Sequence, residues 1–288
     1  MSQDTYANEL SNFKQKLIFG PIADVANHFL NSIINNNDFH KDLINSLDNV
    51  EKRIRTLSEI CKKYNSNVVR IPPYGFIQIS RELKRNIILH NYWSIFYLNF
   101  TLSERYADYF INLNSKLFSP KDCADIKTKL DSKNRTLNMD FDFKIGKLKH
   151  INSQHQSTYI LKLYTLLDLY RIIRNTFMFH FIDIDEYSFV YSGKDIQEKE
   201  KSLHGELVNL HSNINVVMRQ FKDNQKIKNI LQSSIQKIES IIEFYSKNQS
   251  TEEYFLINDA IYNDLIRIFS VISYTFIFFL DTEQPDFS

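Results

Sequence analysis

The feature that most constrains the fold of this chain is its small number of helix-breaking residues. Glycine and proline number five each among 288 residues, far below their usual share. Sandwiches, barrels and dinucleotide-binding loops need more of both. Apolar positions instead recur every three or four residues along most of the chain. We therefore expect an all-α fold, a helical bundle of long antiparallel helices with little or no sheet.

The apolar period and its interruptions divide the chain into segments. Helices are predicted over residues 10–33 with a break at Gly20-Pro21, and over residues 43–61, 81–118, 120–130, 157–181, 196–247 and 258–280. Ser119-Pro120 has the residue types that cap and begin a helix. Asp223-Asn224 is expected to divide its segment into a helical hairpin. Residues 65–80, with two prolines, and the polar residues 131–157 are predicted to be irregular.

The charge balance limits how the chain could bind nucleic acid. Its 35 basic and 34 acidic residues give a net charge of +1, so any attraction to a polyanion must come from a local patch. Cys61 and Cys123 lack Cys-x-x-Cys spacing, which favours a reducing compartment. Met1 is followed by polar residues rather than by a signal peptide. We therefore expect a cytoplasmic protein.

One segment is apolar enough to require a membrane test. Residues 268–280 carry only Ser, Thr and Tyr as polar residues. As a helix this segment would span about 20 Å, less than the roughly 30 Å of a hydrocarbon core. We expect a buried C-terminal helix and no membrane partner.

An Arg-Asn pair followed by a histidine occurs twice in the chain. The first motif is Arg85-Asn86 with His90, and the second motif is Arg174-Asn175 with His180. A cation that stays charged, an amide, and an imidazole that titrates near neutrality suit the handling of an RNA phosphodiester. These residues are the candidate site residues.

The second motif resembles the signature of HEPN domains, the "higher eukaryote and prokaryote nucleotide-binding" helical family. Residues 170–181 have the sequence Tyr-Arg-Ile-Ile-Arg-Asn-Thr-Phe-Met-Phe-His-Phe, and the Arg-Asn pair and Phe-His-Phe ending match a common bacterial variant. The first motif, with Tyr92 two residues after its histidine, is similar to the nuclease half of HEPN/nucleotidyltransferase toxin–antitoxin pairs. Pro72-Pro73 departs from that subfamily, so the second motif ranks first. The resemblance implies an HEPN-like core over residues 67–288 with extra N-terminal helices over residues 1–66, or one domain in all.

The resemblance implies metal-independent RNA cleavage, in which the ribose 2′-hydroxyl attacks the adjacent phosphorus and leaves a 2′,3′-cyclic phosphate. His180 would move the proton, and Arg174 would hold the scissile phosphate and stabilise its added charge. Asn175 would orient the imidazole or bind a phosphate oxygen. The resemblance also implies a toxin–antitoxin or phage-defence setting, a homodimer, and an antitoxin or defence-system partner protein. It requires no metal and no cofactor.

The spacing within each motif sets a geometric condition. On an α-helix, positions five or six apart lie about 120–140° apart around the axis. A long arginine side chain, or a break near the motif, is needed to bring both groups to one phosphate. Family members commonly pair two motifs across a dimer. In this chain Arg85/His90 and Arg174/His180 could pair within one molecule.

Alternatives remain open from the residues alone. Arg174 could form salt bridges on a helix surface, since Arg171 and Asp168 lie on the same predicted helix. His180 could be a hydrogen-bonded core histidine. The chain would then be a non-catalytic HEPN-like interaction module. The aromatic residues within 92–110 could also line a small-molecule pocket, although aromatic residues at helical spacing are more often core.

The other histidines do not predict a metal site. His204 and His211 are seven residues apart, farther than the i, i+4 spacing that metal ligands on a helix use. His150 and His155 fall in the polar segment without ligand partners. The sequence also lacks phosphate-binding, nucleophile-elbow and zinc-protease motifs.

Overall fold

The fold is helical throughout the residues that the computed structural model describes, which are 37–63, 74–89, 91–131, 137–179, 193–247 and 259–285. Within these ranges there is no strand, which confirms the all-α prediction. The helices are α1 (Asn37–Lys63), α2 (Tyr74–Ile88), α3 (Tyr92–Leu113), α4 (Pro120–Asp131), α5 (Leu137–His155), α6 (Thr158–Ile172), α7 (Gly193–Gln220), α8 (Gln225–Lys247) and α9 (Asp259–Thr282). A short 3-10 helix, Ser115–Leu117, follows α3, and a π-helix, Ile173–Phe179, continues α6.

Helices α3 and α9 form the centre of the bundle. Helix α9 packs against α1, α3 and α8, while α3 also packs against α2, α5 and α6. Helices α7 and α8 form a hairpin, and its turn at residues 221–224 confirms the predicted division at Asp223-Asn224. Helices α5 and α6 both lie against α3. The end of α6 therefore lies beside the central helices.

Helix α9 is buried along its whole apolar stretch. All residues from 268 to 280 are buried, as predicted. The helix is 24 residues long, so the prediction that it is too short to span a membrane was wrong. Asp264–Thr282 is long and apolar enough to cross one, but 83% of its apolar window is buried inside the protein. That burial is the pattern of a core helix.

The hydroxyl of Tyr170 forms hydrogen bonds with the backbone of α9. Tyr170 on α6 is fully buried, and its hydroxyl accepts a hydrogen bond from the backbone N–H of Phe276 at 3.1 Å. Helix α9 is continuous at this position, so the hydroxyl supplements the bond that this N–H makes to the carbonyl of Ile272 within the helix. The hydroxyl lies 2.9 Å from the carbonyl of Ser273, to which Asn99 on α3 donates at 2.8 Å. These bonds fix α3 and α6 at one level of α9, and the second motif follows directly.

Polar side chains mark several helix ends. Asn91, Ser119 and Ser157 each accept a hydrogen bond from the backbone N–H three residues on, at 3.3, 3.1 and 3.3 Å. They begin α3, α4 and α6 in the manner of N-cap residues, which confirms the cap predicted at Ser119. At the end of α9, Arg53 on α1 donates from Nη1 to backbone carbonyls, including that of Glu283 at 2.7 Å.

The structure corrects three predicted boundaries. Residues 137–155 form helix α5 rather than an irregular segment, because apolar side chains at positions 141, 145, 148 and 151 are buried on one helix face. Helix α2 begins at Tyr74, inside the stretch predicted to be irregular. The predicted helix over 81–118 divides into α2 and α3 around Asn91. The predicted helices over 10–33, the two prolines at 72–73 and residues 180–192 lie outside the described residues.

Candidate functional site

The second Arg-Asn motif lies where α6 widens into a π-helix. Helix α6 ends at Ile172, and the π-helix Ile173–Phe179 has seven residues. Arg174 and Asn175 are its second and third residues. Turns of this kind are rare and occur frequently at functional sites. His180 lies outside the described residues, so its approach to Arg174 stays a prediction.

The side chain of Arg174 is buried against two aromatic rings. Arg174 is 1% exposed, and its guanidinium carbon lies 4.7 Å from the centroid of the Phe100 ring and 6.0 Å from that of Phe141. The side-chain oxygen of Asn175 accepts hydrogen bonds from Arg174 Nε at 3.1 Å and Nη2 at 2.9 Å. Aromatic stacking and the amide oxygen therefore fix the plane of the guanidinium.

Three more charged side chains are buried between α3 and α5. Glu104, Asp108 and Lys144 are 8%, 1% and 2% exposed. The ammonium of Lys144 lies 2.8 Å from a carboxylate oxygen of Glu104 and 2.9 Å from one of Asp108. Glu104 also acts electrostatically on Arg174. We call these four residues the buried ion group. The group contains two acidic and two basic side chains.

Burial and neighbouring charges act against each other in this group. Burial lowers the pKa of Arg174, while Glu104 and Asp142 act to raise it. Burial also raises the pKa of Asp108, and the ammonium of Lys144 opposes that effect. Each charge is thus stabilised against the cost of desolvation by an opposite charge nearby.

Arg171, one turn before Arg174, forms the ion pairs nearer the surface. Its Nη2 lies 2.7 Å from Asp168 and its Nε lies 3.2 Å from Asp142. The side chain of Arg171 is 31% exposed. The alternative in which Arg174 serves a helix-surface salt bridge is wrong, because Arg174 is directed into the bundle.

The first motif lies on the outside of the bundle. Arg85 is exposed in the last turn of α2, and the amide of Asn86 donates to the carbonyl of Glu82 on its own helix at 2.8 Å. His90 lies outside the described residues. Since Arg174 is buried between α3 and α5, the two arginines occupy different environments. Pairing of the two motifs within one chain stays a prediction.

No motif in the sequence marks the charged residues of the buried ion group other than Arg174, or the ring of Phe141 beside it. A signal for the carboxylates was present. Two acids four residues apart share one face of a helix, and this helix is apolar around its circumference. A carboxylate buried on such a helix needs a cation inside the protein. Lys144 falls on the buried face of α5, where a local pattern cannot show which acids it meets.

The remaining histidines are placed away from this group. His211 lies 2.9 Å from Glu239 and links α7 to α8, whereas the side chain of His204 is outside the described residues. His150 and His155 are exposed on α5, which is a helix rather than the predicted loop. Across the side chains that the structure describes, no three His, Cys, Asp or Glu residues converge as metal ligands would.

Comparisons with known proteins leave the assignment to the chain's own geometry. No protein-family model, curated protein or solved structure matches the sequence or the fold.

Proposed function

We propose that the chain is a metal-independent endoribonuclease of the HEPN type, with Arg174, Asn175 and His180 as catalytic residues. One observation carries the proposal: Arg174 and Asn175 lie together in a π-helix, with the guanidinium plane set by Phe100 and Asn175. A rare backbone conformation and a buried cation both lower stability. A helix with only a structural role needs neither, so their coincidence at the motif supports a function there.

The proposed reaction transfers phosphorus within the RNA strand. A bond forms from the 2′-oxygen to phosphorus, and the bond from phosphorus to the 5′-oxygen of the next nucleotide breaks. His180 takes the proton of the 2′-hydroxyl or protonates the leaving oxygen, and a second copy of the chain in the predicted homodimer supplies the other transfer. Arg174 stabilises the charge that builds on the phosphate oxygens, while Asn175 orients the imidazole or binds a phosphate oxygen. The products are a 2′,3′-cyclic phosphate and a 5′-hydroxyl.

The burial of Arg174 places a condition on this function. At 1% exposure the guanidinium cannot touch a phosphate, so the stack on Phe100 and Phe141 must open before cleavage. Lys144 remains between Glu104 and Asp108 when Arg174 leaves, which limits the electrostatic cost of opening. The predicted antitoxin or defence-system partner would act on this step.

The proposal is tested with purified protein in EDTA. The wild type should cleave single-stranded RNA, leave a DNA of the same sequence intact, and produce a cyclic-phosphate end, because the attacking group is the ribose 2′-hydroxyl. His180→Ala should lower the cleavage rate at least about a hundredfold, the usual contribution of general acid–base catalysis.

Matched variants locate the site. Arg174→Lys should be impaired, because a point charge cannot replace a planar fork of donors. Arg105→Lys, an exposed arginine on α3, should retain the wild-type rate. Unchanged activity in His90→Ala would assign the site to the second motif alone. The proposal fails if the wild type, His180→Ala and Arg174→Ala are equally inert on varied RNAs, with and without cell extract as a source of activator.

The closed position of Arg174 favours a second candidate, a non-catalytic helical interaction module. In this case the buried ion group holds α3, α5 and the end of α6 in one arrangement, and His180 is a core histidine. An inert wild type, together with a large loss of thermal stability in His180→Ala, would support this candidate.

A further inference from the structure

Lysines and histidines are concentrated on α5 and the start of α6. Residues 143–167 contain four lysines and two histidines and no Asp or Glu. Three of these lysines are paired in the fold, Lys144 with Glu104 and Asp108, Lys147 with Asp122, and Lys162 with Glu283. Lys149 and His150 lie at the exposed surface of α5, where they can contact a polyanion.

A pocket of 370 Å³ opens beside these cations, between α4 and α5. It is lined by Phe118, Asp122, Phe143, Gly146, Lys147 and His150. The ammonium of Lys147 lies 5.3 Å from the centroid of the Phe118 ring and 5.2 Å from that of Phe143. It also lies 2.8 Å from a carboxylate oxygen of Asp122. The ring of His150 is 5.4 Å from that of Phe118.

The chemistry of this pocket suits a planar heterocycle. Phenylalanine rings offer faces for stacking, Lys147 offers a donor, and Asp122 offers an acceptor. Hydrogen bonds from Lys147 and Ser119 lower the pKa of Asp122 to about 2, so the carboxylate is an acceptor at neutral pH. No atom lies within 4 Å of the position that a Cβ would take at Gly146. The side of the pocket formed by Gly146 is therefore open to a ligand.

The pocket lies on the same helix as the Arg174 stack. Phe141, which contacts the guanidinium of Arg174, precedes His150 by nine residues on α5. That separation corresponds to about 13 Å along the helix axis, a distance that a short single strand bridges. Lys149 and His150 are exposed on the same helix and can contact the backbone of such a strand.

We infer that this pocket holds one unstacked base of a single-stranded RNA, while Lys149 and His150 contact the neighbouring phosphates. The choice of RNA rests on the proposed endoribonuclease function. The edge of the base exchanges hydrogen bonds with Asp122 and Lys147, and its face packs on the phenylalanine side of the pocket. Binding here anchors the strand so that a phosphodiester further along reaches the second motif.

The test fills the pocket without removing any contact. Gly146→Met adds a side chain into the open wall, and Gly205→Met is the matched control, since Gly205 is also an exposed helical glycine with open space at its Cβ. Both changes favour the helix, so unfolding is not expected. The probe is a fluorescein-labelled 2′-O-methyl oligoribonucleotide, which lacks the attacking hydroxyl, and anisotropy reports binding. Gly146→Met should weaken binding at least about tenfold, and Gly205→Met should not change it.

A second pair of variants tests the phosphate contacts. Lys149→Gln and His150→Gln should each weaken binding, and Lys149→Gln should also reduce the slope of the salt dependence by about one charge. Lys228→Gln, at an exposed position on α8, should do neither.

Several outcomes overturn the inference. The first is that the wild type does not bind the probe, and the second is that Gly146→Met binds it as tightly as the wild type. The third is that duplex RNA or anionic lipid vesicles bind as tightly as the probe, which would indicate that binding depends on charge alone. Failure of the proposed function is separate. If the wild type binds the probe through Gly146 but never cleaves RNA, the pocket stands and the nuclease proposal fails. If the wild type and Gly146→Met cleave RNA with equal kcat/KM, only the pocket fails.

Discussion

The guanidinium of Arg174 stacks on the ring of Phe100, with 4.7 Å between the guanidinium carbon and the ring centroid. The two residues lie on different helices, and Arg174 is 1% exposed in this position. It combines dispersion with a cation–π interaction, which is strongest where water is excluded. The packing of this pair and the state of the candidate site are therefore linked.

Replacement of the planar cation should weaken the fold as well as the proposed activity. In Arg174→Lys the charge remains, but the stack on Phe100 and the paired hydrogen bonds to Asn175 are lost. We expect the free energy of unfolding to fall by about 1–3 kcal/mol, measured by urea denaturation. Arg105→Lys, on the exposed side of α3, should change it by less than about 0.5 kcal/mol. Equal values for the two variants would show that the stack contributes nothing.

Removal of the ammonium between the two buried carboxylates should be strongly destabilising. Lys144→Met leaves Glu104 and Asp108 without their shared cation, and loss of one partner from a buried ion pair lowers stability by about 3–5 kcal/mol. The double variant Asp108→Asn/Lys144→Met should regain most of that loss, because Glu104 and Arg174 then remain as opposite charges. A double variant as unstable as Lys144→Met would place the effect in lost packing instead.

Asp108 should make stability depend on pH in a defined direction. Burial raises the pKa of Asp108 above its usual 3.8 in spite of Lys144, so the native state binds the proton more tightly than the unfolded state. The resulting stabilisation is fully present below the unfolded pKa and is lost as the pH rises through the native pKa. The stability of the wild type relative to Asp108→Asn should thus decline as the pH rises from about 4 through the native pKa of Asp108. A constant difference in urea denaturation across that range would contradict the assignment.

The hydroxyl of Tyr170 should stabilise the core through the backbone of α9. Tyr170→Phe leaves the buried N–H of Phe276 without this acceptor, at a cost of about 1–3 kcal/mol, and the amide of Phe276 should exchange with solvent faster. Tyr164→Phe is the control, since Tyr164 is only partly buried on the same helix. An unchanged exchange rate at Phe276 would mean that the hydrogen bond to the carbonyl of Ile272 within α9 is sufficient to protect this N–H.

The guanidinium of Arg53 should hold the last turn of α9. Its Nη1 donates to the carbonyls of Leu280 and Glu283, which have no partner within the helix. Arg53→Met should lower the free energy of unfolding by about 1.5–3 kcal/mol, the range for hydrogen bonds to charged groups. Arg55→Met, at an exposed position on the same helix, should have little effect. A comparable loss in both variants would argue against the end contact.

The helices that could be predicted are those whose apolar period is continuous. Helices α1, α4, α8 and α9 follow from it directly. Helix α5 was missed, although residues 141, 145, 148 and 151 keep the period, because Lys144 occupies a buried position and polar residues cover the other faces. The acids that neutralise Lys144 lie on α3, at a sequence separation that no local pattern reveals.

The candidate site, like the fold, could be predicted only where its residues are close together in the sequence. Arg174 and Asn175 are adjacent, so a short motif could select them. The rings of Phe100 and Phe141 and the carboxylate of Glu104 reach Arg174 only through tertiary packing. The π-helix was anticipated only as a break near the motif. The π-helix begins three residues after Tyr170, whose hydroxyl binds the backbone of α9, a tertiary contact that no local pattern shows.

The π-helix gives the motif a sensitivity to chain length that is independent of side-chain chemistry. A π-turn holds about one residue more than an α-turn, so removal of one residue within Ile173–Phe179 would return this segment to α-helical register. The residues of the turn would then change their positions relative to Phe100 and Phe141, while α6 before the turn would be unchanged. A gain or loss of a single codon would therefore alter the surroundings of Arg174 and Asn175 without any substitution in the motif.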